Sequence, residues 1–444
     1  MLGRLIGLLL CGLLTGTAAA SRVESTPCPT GFAGASGVEC FYLPLDGTRL
    51  FFTRLSGGDG PPVLLVPGGP GVAPSDSGRA WLERLAPWRK SRPVILLDLR
   101  GTGLSGPDLA CPEQPPSGPL RADRVAQCRQ RLAANGPLPI IDSRQLAGDI
   151  MALRQALGIR QWLLYGVSHG TRIALVTAAL DPAGTAALVL DSLRPPWRPF
   201  YTARLAQQRD ALAVELAAEC KAQRACARDY PQLGATLHQI LSGTDDGDGA
   251  SEQRLMLIAL MSNPDTRSLV PYIASRWRRG NDPALAAALA TLSRPATVSL
   301  GHHLSLVCAE DVPTQTGAEA YLLQYRAACA AWMGNSPASV GPPLLPPMAL
   351  PVLILAGLQD ALTPFDRAEI AQHLPAATLL PVAGAGHDVL GRSACANEAL
   401  LRFLRDPAAT PGDCSQDTSP TPFASPARAR QRLGMPKQEK EKVK

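Results

Sequence analysis

Short unbroken apolar runs alternate along the chain with stretches whose apolar residues recur every three to four positions. Val63–Val66 (VLLV) and Val94–Asp98 (VILLD) are continuous runs bounded by Gly and Pro, the signature of strands buried on both faces. Between them SGRAWLERLAPW has helical spacing. Leu146, Ile150, Leu153 and Leu157 then mark one face of an amphipathic helix that stops at Gly158. A strand WLLY, a helix TRIALVTAAL and a strand ALVLD (Ala187–Asp191) follow. Strand–helix–strand order of this kind predicts a mostly parallel sheet with helices on both faces.

The pattern changes after SLRPPWRP. Residues from about 200 to 345 are Ala- and Leu-rich, helical in spacing, broken by GTDDGDGA, and hold no clear strand. Alternation resumes with PVLILAG (Pro351–Gly357), a helix over Pro364–Leu374, a strand TLLPV and a helix over Cys395–Leu404. The expected organisation is an α/β core at 21–198 and 346–414, interrupted by a mainly helical cap at 199–345. Residues 415–444, Pro/Ser/Thr-rich and then basic, have the composition of a disordered tail.

The first 20 residues change the setting. Arg4, the apolar run Leu5–Leu14 and Ala18-Ala19-Ala20 match the charged, apolar and cleavage regions of a secretory signal, so export to the periplasm or exterior is expected. The run falls short of the roughly 20 residues needed to span a bilayer. Ten of the 11 cysteines lie beyond it, in close sequence neighbours: 28/40, 111/128, 220/226, 308/329 and 395/414. In an exported chain they read as disulfides, most simply neighbour to neighbour, although sequence alone leaves connectivity open. No CxxC pair occurs, so no zinc centre is expected. The net charge of +6 resides in Arg4 and in the tail, whose seven Lys and Arg face two Glu beyond Ala427. The body is near neutral and offers no basic face to nucleic acid.

Gly166-Val167-Ser168-His169-Gly170 stands where a strand pattern ends and a helical one begins. A strand-to-helix corner this sharp strains the serine backbone, and side chains at the flanking glycines would collide with neighbouring elements. The corner lifts Oγ off the sheet beside the N–H groups of the next helix. A serine hydroxyl becomes nucleophilic only when an oriented base takes its proton. Asp360 follows the strand VLILAG, and His387 follows the next strand in GAGHD. Both therefore fall on the sheet edge that carries Ser168, where α/β sheets assemble their sites. The expected catalytic set is Ser168, Asp360 and His387. His169, His238, His302, His303 and His373 are expected to pack or face solvent. The backbone N–H groups of His169 and of Gly69, in the loop Pro67–Gly71 (PGGPG), are the expected oxyanion donors. No Lys-Ser/Thr follows that loop, so it is not a phosphate cradle. This chemistry needs no cofactor.

PGGPG, DLRGTGLSG, GVSHGTRIAL, LVLDSLRPP, VCAEDVP, LQDALTP and GAGHDVL, in this order, resemble the exported tripeptidyl and prolyl aminopeptidase group of α/β-hydrolases. The likeness runs from about Cys40 to Cys414 and includes the cap segment CKAQRACARDYPQL. It implies an α/β-hydrolase fold with an inserted helical cap, and hydrolysis of peptides from a free amino end. It also implies that Glu310 and Asp311 hold the substrate's α-ammonium. Two positions depart from the group's pattern. His169 stands where an aromatic residue is usual, and Pro67 opens the oxyanion loop in place of His, as suits the tripeptidyl branch. Asp98 and Arg100 are expected to brace the active-site loops.

The same residues would serve an esterase or amidase acting on small molecules. A catalytically silent hydrolase fold used for binding is the alternative from another class. The sequence leaves the preferred substrate residues, mono- versus tripeptide release and oligomeric state open.

Overall fold

A computed structural model describes residues 22–435 except 116–118, 135, 140, 199–202, 243–249, 279–281, 293–297, 315–319, 335–344, 391, 410 and 417–421. The leader, the GTDDGDGA break and the basic end beyond residue 435 therefore lie outside the described residues, save Ala250 of the break.

The chain opens with β1 (Glu24–Thr26), β2 (Val38–Leu45) and β3 (Thr48–Leu55), joined antiparallel. Next come β4 (Val63–Val66), α1 (Gly78–Arg89), β5 (Val94–Leu97), α2 (Ala122–Ala133) and α3 (Ser143–Ala156). β6 (Trp162–Val167), α4 (His169–Leu180) and β7 (Thr185–Asp191) complete the first half of the core. A long insertion follows: α5 (Ala203–Ala222), α6 (Arg224–Asp229), α7 (Leu233–Ser242), α8 (Ala250–Ser262), α9 (Pro264–Arg267), α10 (Val270–Trp277), α11 (Pro283–Leu292), α12 (Leu300–Leu306) and α13 (Ala320–Met333). The core closes with β8 (Val352–Gly357), α14 (Arg367–His373), β9 (Ala377–Val382) and α15 (Ala394–Arg405), and α16 (Pro426–Arg432) comes last.

Among the described residues nine strands form one sheet in the order β1-β2-β3-β5-β4-β6-β7-β8-β9. From β5 to β9 every pairing is parallel. Alternate residues of the central strands enter two different cores. Leu64, Val66, Ile95, Leu97 and Leu164 face α3 and α4, with Ile150, Leu153 and Ile173. Val63, Leu65, Val94, Leu96 and Leu163 face α1 and α15, with Leu85, Trp88, Leu400 and Phe403. Covering both faces is why these strands carry no polar alternation. Each fully buried Val, Leu or Ile contributes about 1.5–3 kcal/mol through burial.

The insertion divides between two cores. α12 and α13 join the central core through Leu304, Leu306, Ala328 and Trp332. Leu216, Leu237, Leu257, Met261, Ile273 and Leu285 build a separate core around α5, α7, α8, α10 and α11. That second core includes Ala424, Ala429 and Leu433, which corrects the expectation of a disordered tail for residues 422–435. The charges made this segment look solvated, but its small apolar residues dock while its arginines point outward or pair. Among the described residues the ten cysteines form five disulfides, each between sequence neighbours: Cys28–Cys40, Cys111–Cys128, Cys220–Cys226, Cys308–Cys329 and Cys395–Cys414. No helix among the described residues is long and apolar enough to cross a membrane.

Candidate active site

β6 ends at Val167, α4 begins at His169, and Ser168 between them has φ 53° and ψ −121°, a conformation L side chains rarely adopt. Three hydrogen bonds hold the corner. Ser168 N–H donates to the Asp191 carbonyl (2.9 Å), and Thr171 donates to the Ser168 carbonyl from its N–H (3.0 Å) and its hydroxyl (2.6 Å). The flanking glycines are sterically required. A Cβ on Gly170 would sit 2.2 Å from the Val66 carbonyl oxygen, and one on Gly166 would sit 2.5 Å from that of Gly170.

The loop Pro67–Gly71 runs alongside. A Cβ on Gly68 would lie 3.1 Å from Ser168 Cβ, so only a bare backbone passes so close. Gly69 (φ 113°) and Gly71 (φ 106°) take conformations open to glycine. The insertion grips this loop: Ser299 N–H donates to the Gly71 carbonyl (2.9 Å), and His303 Nδ1 lies 3.2 Å from the Pro70 carbonyl oxygen.

Asp360 and His387 meet across the ends of β8 and β9. Asp360 Oδ2 is 2.9 Å from His387 Nδ1, and Asp360 is 3 % exposed. The N–H groups of Leu362 (2.8 Å) and Thr363 (2.9 Å) donate to Oδ1, and the Thr363 hydroxyl donates to Oδ2 (2.6 Å). Burial works against the Asp360 charge, but the His387 imidazole and these donors hold its pKa below the usual carboxylate range. Burial likewise opposes charge on His387, yet Asp360, with Asp388 and Asp191 behind it, raises the imidazole above its ordinary value.

The loop that carries His387 is fixed to the corner that carries Ser168. Asp191, whose carbonyl receives the Ser168 N–H, accepts on its carboxylate from the N–H groups of Val389 (2.9 Å) and Leu390 (3.0 Å). Ser192 Oγ accepts from Asp388 N–H (2.9 Å). Burial, then the charge of Asp388, pushes the Asp191 carboxyl up to about 6, while the Tyr165 hydroxyl (2.6 Å) and the two backbone donors pull the other way.

Glu310 and Asp311 are buried, at the foot of the insertion in a π-helical turn over Val307–Asp311. Ser143 donates to Glu310 from its N–H (2.6 Å) and its hydroxyl (2.8 Å). The fully buried Arg172 of α4 binds Glu310 (3.1 Å) and Asp311 (2.9 Å), and Arg194 binds Asp311 (2.5 Å). Burial raises the Glu310 carboxyl, whereas the two guanidiniums hold Asp311 low against the same burial.

The side chain of His169 is fully buried, and neither ring nitrogen has a hydrogen-bond partner among the described residues. Burial and the nearby Arg194 and Arg172 keep that ring neutral, its pKa well below the ordinary value. His238 and His373 are exposed. His302 packs inside with Nδ1 2.7 Å from the Arg100 carbonyl oxygen. Asp98 accepts from Ser75 and Leu104, and Arg100 makes a two-pronged pair with Asp149 (2.8 and 2.6 Å), so both brace loops around the site. Sequence reasoning missed Thr363, His303, Asp191 and Ser262 of α8. Thr363 had a local signal, the Asp-x-x-Thr spacing of a side-chain-capped turn; the others are brought in by tertiary contacts alone.

A sheet of this order, a strained serine corner and an acid–imidazole pair at the ends of the last two strands narrow the choice of family. Residues 61–218 match the family described as alpha/beta hydrolase fold. The chain has the α/β-hydrolase fold. Further along the same chain, residues 314–416 match the family described as TAP-like protein. Over 145 residues it is 28 % identical to a probable proline iminopeptidase of Streptomyces coelicolor, covering 33 % of this chain and 36 % of that protein. The aligned stretch thus spans about a third of that relative's length. Over 431 residues it is 26 % identical to a tripeptidyl aminopeptidase of Streptomyces coelicolor, covering 82 % of this chain and 77 % of that protein. Among solved structures, Cfl2 from Burkholderia cenocepacia is similar with a TM-score of 0.44 at 17 % identity, covering 86 % of this chain and 98 % of that one. The chain thus combines the α/β-hydrolase fold with aminopeptidase-type relatives.

Proposed function

We propose that this hydrolase is an exported serine aminopeptidase that releases short peptides or an N-terminal residue from unblocked substrates. Ser168 Oγ attacks the scissile carbonyl, His387 takes its proton, and the N–H groups of Gly69 and His169 receive the developing oxyanion. The acyl group passes to Ser168 as the amine leaves with the proton from His387; water then releases the acid by the same route. The observation that carries the reading is the 2.9 Å contact of buried Asp360 with His387 Nδ1. A carboxylate there keeps the ring proton on Nδ1, which leaves Nε2 as the acceptor for a serine proton. The leader pattern and five disulfides support export to an oxidising compartment.

For the amino end, Glu310 is the favoured anchor. Burial disfavours its charge, and an arriving ammonium would offset that cost in place of the Ser143 donors. Asp311 holds Arg172, the guanidinium that also pairs with Glu310. One observation favours a second reading, a small ester or amide as substrate: both oxygens of Glu310 and of Asp311 already have partners. A panel of free and N-acetylated mono-, di- and tripeptide anilides with a p-nitrophenyl ester separates the two. The peptidase reading expects acetylation to abolish turnover of the anilides. Equal rates on free and blocked substrates would remove the ammonium anchor and leave an esterase or amidase.

A further inference from the structure

The acid and the base sit on separate loops, and one residue of the insertion touches both. Ser262, the last residue of α8, is fully buried. Its hydroxyl donates to the Ile258 carbonyl (2.8 Å) and accepts from Ala361 N–H (2.9 Å), next to Asp360. Its carbonyl accepts from His387 N–H itself (2.7 Å). A Cβ on Gly386 would come 1.8 Å from that carbonyl oxygen, so the glycine before His387 is there to let α8 approach. α8 therefore ends on both catalytic loops at once.

The turn beyond Ser262 is held from the far side by the end of the chain. Ala424 N–H donates to the Ser268 carbonyl (3.0 Å), and Arg432 donates to Ser268 Oγ (2.7 Å) and to the Asp265 carbonyl. Tyr230 of the insertion donates its hydroxyl to the Ala424 carbonyl (3.0 Å). Ala424, Ala429 and Leu433 share one core with Met261, and with Ala361 beside the acid. The TAP-like match ends at residue 416, so this strap lies beyond it.

We propose that Ser262 is a positioning residue that sets Asp360 and His387 relative to each other, and that the strap 422–435 holds Ser262 in place. The inference rests on the serine-hydrolase reading. Each loop leaves a different strand, so the sheet alone does not fix the acid–base distance. The loops share a backbone hydrogen bond, Gln359 N–H to the Ala385 carbonyl (2.9 Å), and Ser262 adds a common support next to the acid and on the base. Misplacement of such groups by about 1 Å can cost roughly a hundredfold in rate. Ser262→Ala removes the acceptor for Ala361 N–H and keeps the carbonyl that holds His387.

The test compares wild type, Ser262→Ala and a chain ending after residue 421. Active sites are counted by stoichiometric capture with a fluorophosphonate, then kcat and KM are measured on one free peptide anilide, with thermal unfolding alongside. Ser262→Ala is expected to lower kcat per counted site roughly tenfold with KM within about twofold. The shortened chain should lower kcat in the same direction. A variant with a lower unfolding temperature but wild-type kcat per site would reduce Ser262 to a purely structural role and overturn the inference. Wild type that cannot be captured would instead sink the serine reading itself.

Discussion

His303 holds Pro70: its Nδ1 lies 3.2 Å from the Pro70 carbonyl oxygen, while its Nε2 lies 2.8 Å from the Tyr325 hydroxyl. A carbonyl only accepts, so the ring proton sits on Nδ1 and the Tyr325 hydroxyl donates to Nε2. Burial lowers the pKa of this ring to about 4, so it stays neutral at working pH. A histidine of the insertion thus orients the loop expected to carry an oxyanion donor. His303→Ala should reduce kcat on a peptide anilide by roughly tenfold, less than the hundredfold or more for loss of a direct donor. Tyr325→Phe should give a smaller drop of the same kind. Unchanged kcat in both would free the loop from this contact.

The pH dependence follows from His387. A general base must be neutral in the free enzyme, and Asp360 raises this imidazole above its ordinary 6.5. The acid limb of kcat/KM should therefore fall at a pH above about 6.5. Asp360→Asn removes the supporting charge, should move that limb lower, and should cut kcat by up to roughly 10⁴. The stability linkage runs the other way. A base whose folded pKa is raised stabilises the fold below its unfolded pKa, and that contribution is lost as pH rises through the folded value.

Two glycines make a paired stability test. Gly170→Ala would place a Cβ 2.2 Å from a backbone oxygen, while the same change at Gly148, on α3, meets nothing within 4 Å. Urea unfolding should show a loss of about 1–3 kcal/mol or more for Gly170→Ala. Gly148→Ala should gain about 0.5–1 kcal/mol.

Cys308–Cys329 ties the foot of the insertion to α13, one helical turn from Tyr325. Replacing both by Ser should cost about 3 kcal/mol for a loop of this length. Because Tyr325 partners His303, kcat should fall as well. Loss of stability with full activity would separate the disulfide from the oxyanion loop.

Glu310→Gln keeps a side-chain acceptor for Ser143 and removes the charge. If Glu310 anchors the amino end, KM for a free tripeptide anilide should rise about tenfold or more, while hydrolysis of a p-nitrophenyl ester changes little. Equal effects on both substrates would assign the pair to holding the insertion on α4.

The Ser168 corner was legible because local sterics write it into the chain: Gly166, Ser168 and Gly170 admit few other readings between a strand and a helix. Asp360 and His387 were legible because apolar runs place them just past β8 and β9. Other parts had a signal that was not used. Asp46 and Gly47, with φ 45° and 74°, close the β2–β3 hairpin with the Asp-Gly pair such turns favour. The docking of residues 422–435 was hidden because basic charge dominates their composition, whereas Ala424, Ala429 and Leu433 decide their packing. The supports of the site were illegible in principle. Ser262 lies about a hundred residues from the loops it touches, and nothing in its neighbourhood marks it.

The most direct test is peptide mapping by mass spectrometry after the oxidised protein reacts with a fluorophosphonate. The account predicts a single adduct on Ser168, lost in the His387→Ala variant. An adduct on another residue, or none in folded protein, would contradict it.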